Sequence, residues 1–273
     1  MKMTTLGDEE VPRCGRDEVS LWPREHGAYF QLLLPLGAVF ASTIFDVGAF
    51  MLALSTVCFF FAHEPAVLLL GHRGSRARGA SGGRARRLLG MLAGSGCCCG
   101  LWGLSLEGSE VRRSAGLVAL AGVCCLLLAW RRWERRIWGG VLVSVTLSMC
   151  ALPVGLASGI AATPLLYGLG VWTAGQLLLS MLARSVVYVR RDGTVMLQLL
   201  TLLSAVLVGA LVVWWGHPFL SALTSARDLC LLFGVTGGLI GVWRPRKPRR
   251  MGWVLATSSA LGTILLARHF LEA

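Results

Sequence analysis

Residues 48–70 read GAFMLALSTVCFFFAHEPAVLLL, a run in which only His63 and Glu64 are ionisable. A helix needs about 20 mostly apolar residues to cross the hydrocarbon core of a bilayer, so this run is long enough to span a membrane. The whole chain has the same character. Its 273 residues are 55% hydrophobic and 15% charged, with 34 further glycines and a mean hydropathy of +0.67. These values exclude an ordinary soluble domain, a disordered chain and a secreted disulfide scaffold, and they leave a polytopic membrane protein.

Apolar runs recur along the chain and predict an all-α transmembrane bundle of about nine helices. The first two runs are separated only by Asp46, which predicts a tight turn. Residues 1–20 are polar and acidic, so we expect a flexible tail there and one transmembrane domain over 21–273. Pro35 and Pro153 fall inside runs and predict kinks. The predicted spans are about 28–45, 48–70, 88–106, 115–130, 138–157, 162–183, 194–215, 228–243 and 252–270.

The net charge of +12 comes from 26 Lys and Arg residues, and their positions predict an orientation. If the N-terminus is cytoplasmic, 22 of the 26 lie on the cytoplasmic side, six of them in a loop over 71–87. The opposite side then holds only Arg112, Arg113, Arg227 and Arg268. Cytoplasmic loops of membrane proteins are enriched in Lys and Arg. We therefore predict the N-terminus inside, the C-terminus outside, and no nucleic-acid partner for the basic residues.

Small and polar residues inside the runs indicate how the helices pack. Glycines recur four residues apart, as in Gly90/Gly94, Gly96/Gly100 and Gly155/Gly159, and such pairs let helices approach closely in lipid. Gln176 lies in the middle of the sixth run and is expected to form a hydrogen bond to another helix. Asp46, Glu107 and Glu110 fall at the predicted outer edge, where we expect them to be solvated.

Three polar clusters lie at predicted cytoplasmic helix ends, where ionisable groups are functional candidates because lipid makes them costly. They are WPREHGAY at 22–29, HEP at 63–65, and the segment 184–191 that leaves the sixth run. We expect them to converge on a polar cavity that faces the cytoplasm. The candidate catalytic residues are Glu25, His26, His63 and Glu64, and the candidate substrate-binding residues are Arg24, Tyr29, Arg73, Arg184, Tyr188 and Arg190.

The residue types in these clusters suit more than one chemistry. Arginines suit phosphate or carboxylate groups. The Glu and His residues suit proton transfer or a divalent ion, with Glu25 and Glu64 as the candidate ligands for Mg²⁺. A purely structural interpretation is equally open, in which Glu64 pairs with Arg24 or Arg184 to hold helices together.

The string WPREHGAY at 22–29, followed by Leu-rich residues and Pro35, resembles the start of the YwiC-like family. Those bacterial membrane proteins carry a P-[RK]-[EQ]-H-G-A-[WY] motif at the head of the first helix, and Tyr29 stands where Trp is more usual. The resemblance implies a multi-pass protein of the bacterial inner membrane. The family brings no settled reaction with it.

The predicted architecture is also similar, more distantly, to that of the UbiA-type intramembrane prenyltransferases. Those enzymes hold Mg²⁺ and an isoprenoid diphosphate with Asp-rich motifs after helices two and six. The corresponding places here hold His63-Glu64-Pro65 with Arg73, and Arg184 to Asp192, without an Asp-rich motif. This departure leaves three functions open: a UbiA-like isoprenoid- or lipid-binding protein or transferase, a transporter of a small anion or proton-coupled solute, and a non-catalytic membrane component.

Overall fold

The computed structural model describes residues 21, 26–131, 137–192, 232, 236 and 248–272, and this part of the chain is helical without any strand. The all-α prediction is confirmed for these residues. The helices are α1 (His26–Ser42), α2 (Val47–Leu69), α3 (Ser75–Leu106), α4 (Ser109–Trp130), α5 (Ile137–Met149), α6 (Ala151–Ala157), α7 (Ala162–Asp192) and α8 (Pro248–Glu272).

Seven of the nine predicted spans coincide with these helices. Five stretches are long and apolar enough to cross a membrane: 47–69, 75–106, 109–130, 139–157 and 254–272. The predicted spans over 194–215 and 228–243 lie outside the described residues, apart from 232 and 236. The count of nine and the orientation of the termini therefore remain predictions.

Helices α5 and α6 form one span that is interrupted at Cys150. Pro153 cannot donate a backbone hydrogen bond to Met149, and its ring crowds that carbonyl, so the helix loosens at this point. The amide of Cys150 still donates to the carbonyl of Thr146 at 3.1 Å, which keeps the two segments continuous. The sequence predicts a kink at Pro153, and the interruption at Cys150 lies within one turn of it. At Pro35, by contrast, α1 continues without interruption.

The turn between α1 and α2 is as tight as the single polar residue predicts. Asp46 has an extended backbone and caps α2, because its Oδ1 accepts a hydrogen bond from the amide of Ala49 at 2.8 Å. An N-cap of this type contributes about 1 kcal/mol. It fixes the start of α2 at Val47, with only residues 43–46 between it and the end of α1 at Ser42.

Helices α2 and α3 form a close antiparallel hairpin through glycines. A Cβ at Gly96 would lie 3.1 Å from the ring of Phe59, and a Cβ at Gly100 would lie 2.8 Å from the Oγ of Ser55. That hydroxyl also donates to the carbonyl of Gly96 at 2.7 Å. The predicted role of this glycine pair in close packing is confirmed. The predicted pair Gly90/Gly94, by contrast, has open space around both Cβ positions and takes no part in the contact.

The basic segment that we predicted as a loop over 71–87 is mostly helical, because α3 begins at Ser75. Arg and Ala are strong helix formers. In addition, Ala77, Ala85 and Leu88 pack against Leu68 and Leu21, which supports one side of the segment. The loop prediction was therefore wrong over 75–87. The connection between α2 and α3 is only 70–74.

The main core joins α1, α2, α4, α6, α7 and α8. Helices α7 and α8 run antiparallel, since Gly168 lies against Leu266 and Gln176 lies opposite Ser259. Trp172 is the largest fully buried side chain at this contact. Gly155 contacts Leu165 across the turn between α6 and α7, whereas Gly159 forms that turn with a φ of +86°. The predicted role in close helix packing is confirmed for Gly155, which lets α6 approach α7, whereas Gly159 serves the turn instead.

Candidate functional site

The candidate site is built around the cytoplasmic-side ends predicted for α1 and α2. The structure describes the chain again from His26, the first residue of α1, so Arg24 and Glu25 lie outside the described residues. Tyr29 follows within the first turn of α1. Its ring meets Phe60 edge-on, with centroids 5.1 Å apart, and it lies 6.0 Å from Phe61. Phe60 is one helical turn before Glu64, so the start of α1 and the HEP segment are neighbours.

Glu64 is the buried acid of this site. Its side chain is 11% exposed, and both carboxylate oxygens accept hydrogen bonds from Nη2 of Arg73, at 3.0 and 2.8 Å. The Arg73 side chain is 35% exposed. The carboxylate is therefore held inside the fold while the guanidinium reaches toward the surface. The sequence offered Arg24 and Arg184 as partners of Glu64, but the partner in the structure is Arg73.

Arg73 reaches Glu64 because the chain reverses directly after α2. Gly71 has a φ of +81°, its amide donates to the carbonyl of Leu68 at 3.0 Å, and the amide of His72 donates to Val67 at 3.3 Å. These two bonds form a Schellman motif. The motif favours glycine at this position, because a residue without a Cβ adopts the left-handed conformation without strain. The reversal folds 72–74 back along the end of α2. A glycine directly after an apolar run, followed by an arginine, is the sequence signal that could have identified this pair.

His63 does not share the environment of Glu64. Successive residues on a helix point about 100° apart. Glu64 accordingly faces the interior, whereas His63 is exposed. The expectation that a His and a Glu enter one cavity side by side from α2 is therefore not met by the described side chains.

Arg184, Tyr188 and Arg190 lie on the last turns of α7, which continues as a helix to Asp192. The structure describes only the backbone of 181–192. Residues four apart share a helix face, so Arg184 and Tyr188 have positions on one side of α7. Their convergence with Glu64 remains a prediction.

The Mg²⁺ prediction has little support in the geometry of Glu64. Both of its oxygens face the same guanidinium, so the carboxylate is committed to a side-chain cation. Over the residues that the structure describes, no group of three or more His, Cys, Asp or Glu side chains is arranged to hold a metal ion.

Polar contacts inside the bundle add residues that the sequence did not identify. Nε2 of Gln176 donates to the Oγ of Ser259 at 3.0 Å, which confirms the predicted bond across helices. The hydroxyls of Thr236 and Ser258 are 2.9 Å apart. His269 was missed. It is fully buried and its Nε2 donates to the carbonyl of Pro164 at 3.0 Å.

At the opposite end of the hairpin, Asp46 and Glu107 are neighbours instead of separately solvated acids. The short turns before α2 and after α3 bring them together beside Gly48. Partial burial, the charge of Asp46 and a hydrogen bond between the two side chains raise the pKa of Glu107. Both acids are partly exposed, as expected at the outer edge, but they also contact each other at the open end of the hairpin, which the sequence did not predict.

Residues 22–155 match the family model described as YwiC-like protein. The match begins at Trp22, the first residue of the WPREHGAY string, and extends through α5 into α6. The resemblance that this string carries is therefore confirmed. Tyr29, Glu64 and Arg73 lie inside the matched region, whereas Arg184, Tyr188 and Arg190 lie beyond it. No curated protein and no solved structure matches the chain. The likeness to UbiA-type prenyltransferases thus remains a prediction.

Proposed function

We propose that this multi-pass membrane protein, whose residues 22–155 match the YwiC-like family model, binds an anionic, lipid-soluble ligand at the end of α2. The ligand has an apolar chain and a phosphate or carboxylate head. An isoprenoid phosphate is the class to which the predicted likeness to UbiA-type prenyltransferases points. The site faces the cytoplasm in the orientation that the distribution of cations predicts.

The single observation that carries this proposal is the state of Arg73. A guanidinium has five N–H donors, and Glu64 contacts only the nitrogen Nη2. The donors on Nη1 and Nε therefore have no partner among the described residues. They lie on a side chain that is held in position and one-third exposed. A positioned guanidinium of this kind suits two oxygens of a phosphate or a carboxylate.

The neighbouring aromatic residues supply the apolar half of the site. Tyr29, Phe60 and Phe61 form a continuous ring contact within one turn of Glu64. Such a surface suits a hydrocarbon chain, because its burial against apolar groups is favourable by about 25 cal/mol per Å². The remaining candidates add to the same proposal: Arg24, Arg184, Tyr188 and Arg190 as further contacts to the head group, and Glu25, His26 and His63 as proton-transferring groups.

Co-purified lipid tests the proposal. The protein is extracted in mild detergent, and the organic extract is analysed by mass spectrometry for the wild type, E64Q and R73Q. R113Q is the matched control, since it removes an exposed arginine at the opposite end of the hairpin. We expect an isoprenoid or other anionic lipid in near-stoichiometric amount with the wild type and R113Q, and at least about ten-fold less with R73Q, since each lost charged hydrogen bond is worth about 1.5–3 kcal/mol.

E64Q keeps the arginine and loosens its position, so its effect should be smaller than that of R73Q. Equal retention of the lipid by the wild type, E64Q and R73Q would overturn the proposal. Retention of phospholipid alone, without any isoprenoid, keeps the anionic head-group site and rejects the isoprenoid class.

Transport of a small solute is the second candidate function, and the polar contacts inside the bundle favour it. The pairs Gln176–Ser259 and Thr236–Ser258 line up hydroxyl and amide groups within the helical interior. Intramembrane polar groups often mark a solute or proton path. Proton or anion flux into liposomes that disappears with E64Q, in a preparation without bound lipid, would favour transport over ligand binding.

A further inference from the structure

The first part of α3 forms a basic, helical extension of a membrane span. We define the basic segment as residues 75–87. Its five arginines, Arg76, Arg78, Arg84, Arg86 and Arg87, are all exposed. No acidic residue occurs between Glu64 and Glu107. The proposed ligand site uses none of these five side chains.

One side of the basic segment is anchored in the fold. Ala85 is fully buried and packs with Leu68 and Leu21, and Ala77 and Leu88 border the same cluster. The arginines are consequently held on the outer side of a helix that continues into the membrane span. The segment differs in this respect from a loop, whose charges could turn in any direction.

The depth of the arginines follows from helix geometry. At a rise of 1.5 Å per residue, Arg86 and Arg87 lie within about 3 Å of Leu88 along the helix axis, and Arg76 lies about 18 Å from it. The head-group layer extends roughly 5–8 Å beyond the hydrocarbon core on each side. With the predicted span beginning at Leu88, Arg86 and Arg87 lie at head-group depth, and Arg76 and Arg78 extend the positive field outward.

The basic segment also lacks the features that stabilise a helix start on its own. Gly74 precedes it without a side-chain cap, and the first turn contains no acidic residue. Gly79, Gly82 and Gly83 each disfavour helix by about 1 kcal/mol relative to alanine. Positive side chains near the positive end of the helix dipole add to this cost. An anionic surface offsets it, because negative groups neutralise the arginines where they repel each other.

We propose that the basic segment binds the head groups of anionic phospholipids in the leaflet at its end of the membrane. Juxtamembrane clusters of four to eight Lys or Arg residues recognise anionic lipid in this way. The interaction is collective, exchangeable and sensitive to salt. It is separate from the single ligand proposed for Arg73.

Spin-labelled lipids test this proposal on the full-length protein in phosphatidylcholine bilayers. We expect labelled phosphatidylglycerol to associate with the wild type several-fold more strongly than labelled phosphatidylcholine. The preference should fall at least about three-fold in R86Q/R87Q, since each arginine near the surface contributes about 1 kcal/mol, a factor of about five. It should persist in R86K/R87K, which keeps both charges, and in R112Q/R113Q, which removes two arginines at the opposite end.

Salt provides a test that needs no variant. Raising the ionic strength from 0.1 to 1 M shortens the screening length from about 10 to about 3 Å, and the preference of the wild type should then largely disappear. Equal association of the two lipids with the wild type at low salt would overturn the proposal, as would an unchanged preference in R86Q/R87Q. Tight binding of soluble polyglutamate without any lipid preference would also overturn it, and would assign the basic segment to an acidic protein partner. Because Glu64 and Arg73 are intact in all these variants, the outcome is independent of the ligand-site experiment.

Discussion

Replacement of Arg73 by Gln removes the cation that faces the buried carboxylate of Glu64. Two unit charges 4 Å apart interact by about 4 kcal/mol at an effective dielectric constant of 20. The 35% exposure of the Arg73 side chain reduces this value through solvent screening, so we expect a coupling of about 1–2 kcal/mol. R73Q should cost more than E64Q, because it strands a carboxylate that is only 11% exposed.

A double-mutant cycle in detergent micelles measures this coupling. The free energy of unfolding is determined for the wild type, R73Q, E64Q and the double variant. The pair Arg268–Glu272 is the control, because it is also an ion pair, at 2.6 Å, but its side chains are 55% and 31% exposed. A surface pair at this spacing should couple by about 0.3–0.5 kcal/mol. If the 64/73 cycle gives no more coupling than the 268/272 cycle, burial does not strengthen the Glu64–Arg73 pair.

Three further changes test the hairpin, each read from unfolding in micelles. G71A should lower the free energy of unfolding by about 1 kcal/mol, because φ is +81° at this position. G71N should lower it less, since Asn tolerates this region. Equal stability of both variants and the wild type would contradict the Schellman turn. G103A should lower the free energy of unfolding by about 1–3 kcal/mol, because its Cβ would lie 3.0 Å from a backbone oxygen of α2. G94A is the control, since the space around that position is open and the variant should be neutral or stabilising. A larger loss in G94A than in G103A would contradict the packing. The folded-state pKa of Glu107 is raised, so its contribution is fully present below its ordinary value of 4.5 and is lost as the pH rises through the raised value. E107Q should flatten this loss of stability with pH, and an unchanged profile would show that the contact with Asp46 has no such effect.

The spans could be predicted from the sequence because lipid requires long apolar helices with all backbone groups paired. The turn at Asp46 was equally predictable, since a single acid between two apolar runs is a natural N-cap. The start of α3 was not. Arginines at 76–87 were interpreted as loop charges, although the alanines among them pack on α2 and keep the segment helical. Charge patterns indicate a membrane side, and they do not distinguish a loop from a helix that extends beyond the bilayer.

The candidate site was predictable in its residues and not in its pairing. The costs of burial identified Glu64 as a residue that needs a partner. Three arginines were available as this partner. Arg73, nine residues after Glu64, is the partner because a Schellman turn folds the chain back toward α2. The Asp46–Glu107 contact and the buried His269 also depend on which helix ends meet. Periodicity within one helix carries no information about such contacts between distant segments.

Binding of a defined ligand shows directly whether Arg73 holds an anionic head group. The delipidated full-length protein is titrated with a polyprenyl phosphate in detergent, and adducts are counted by native mass spectrometry for the wild type, R73Q and R113Q. We expect one saturable adduct per chain for the wild type and R113Q, with an affinity at least about ten-fold weaker for R73Q, because the charged hydrogen bonds of Arg73 are lost. Equal affinities for the wild type and R73Q would contradict this role of Arg73.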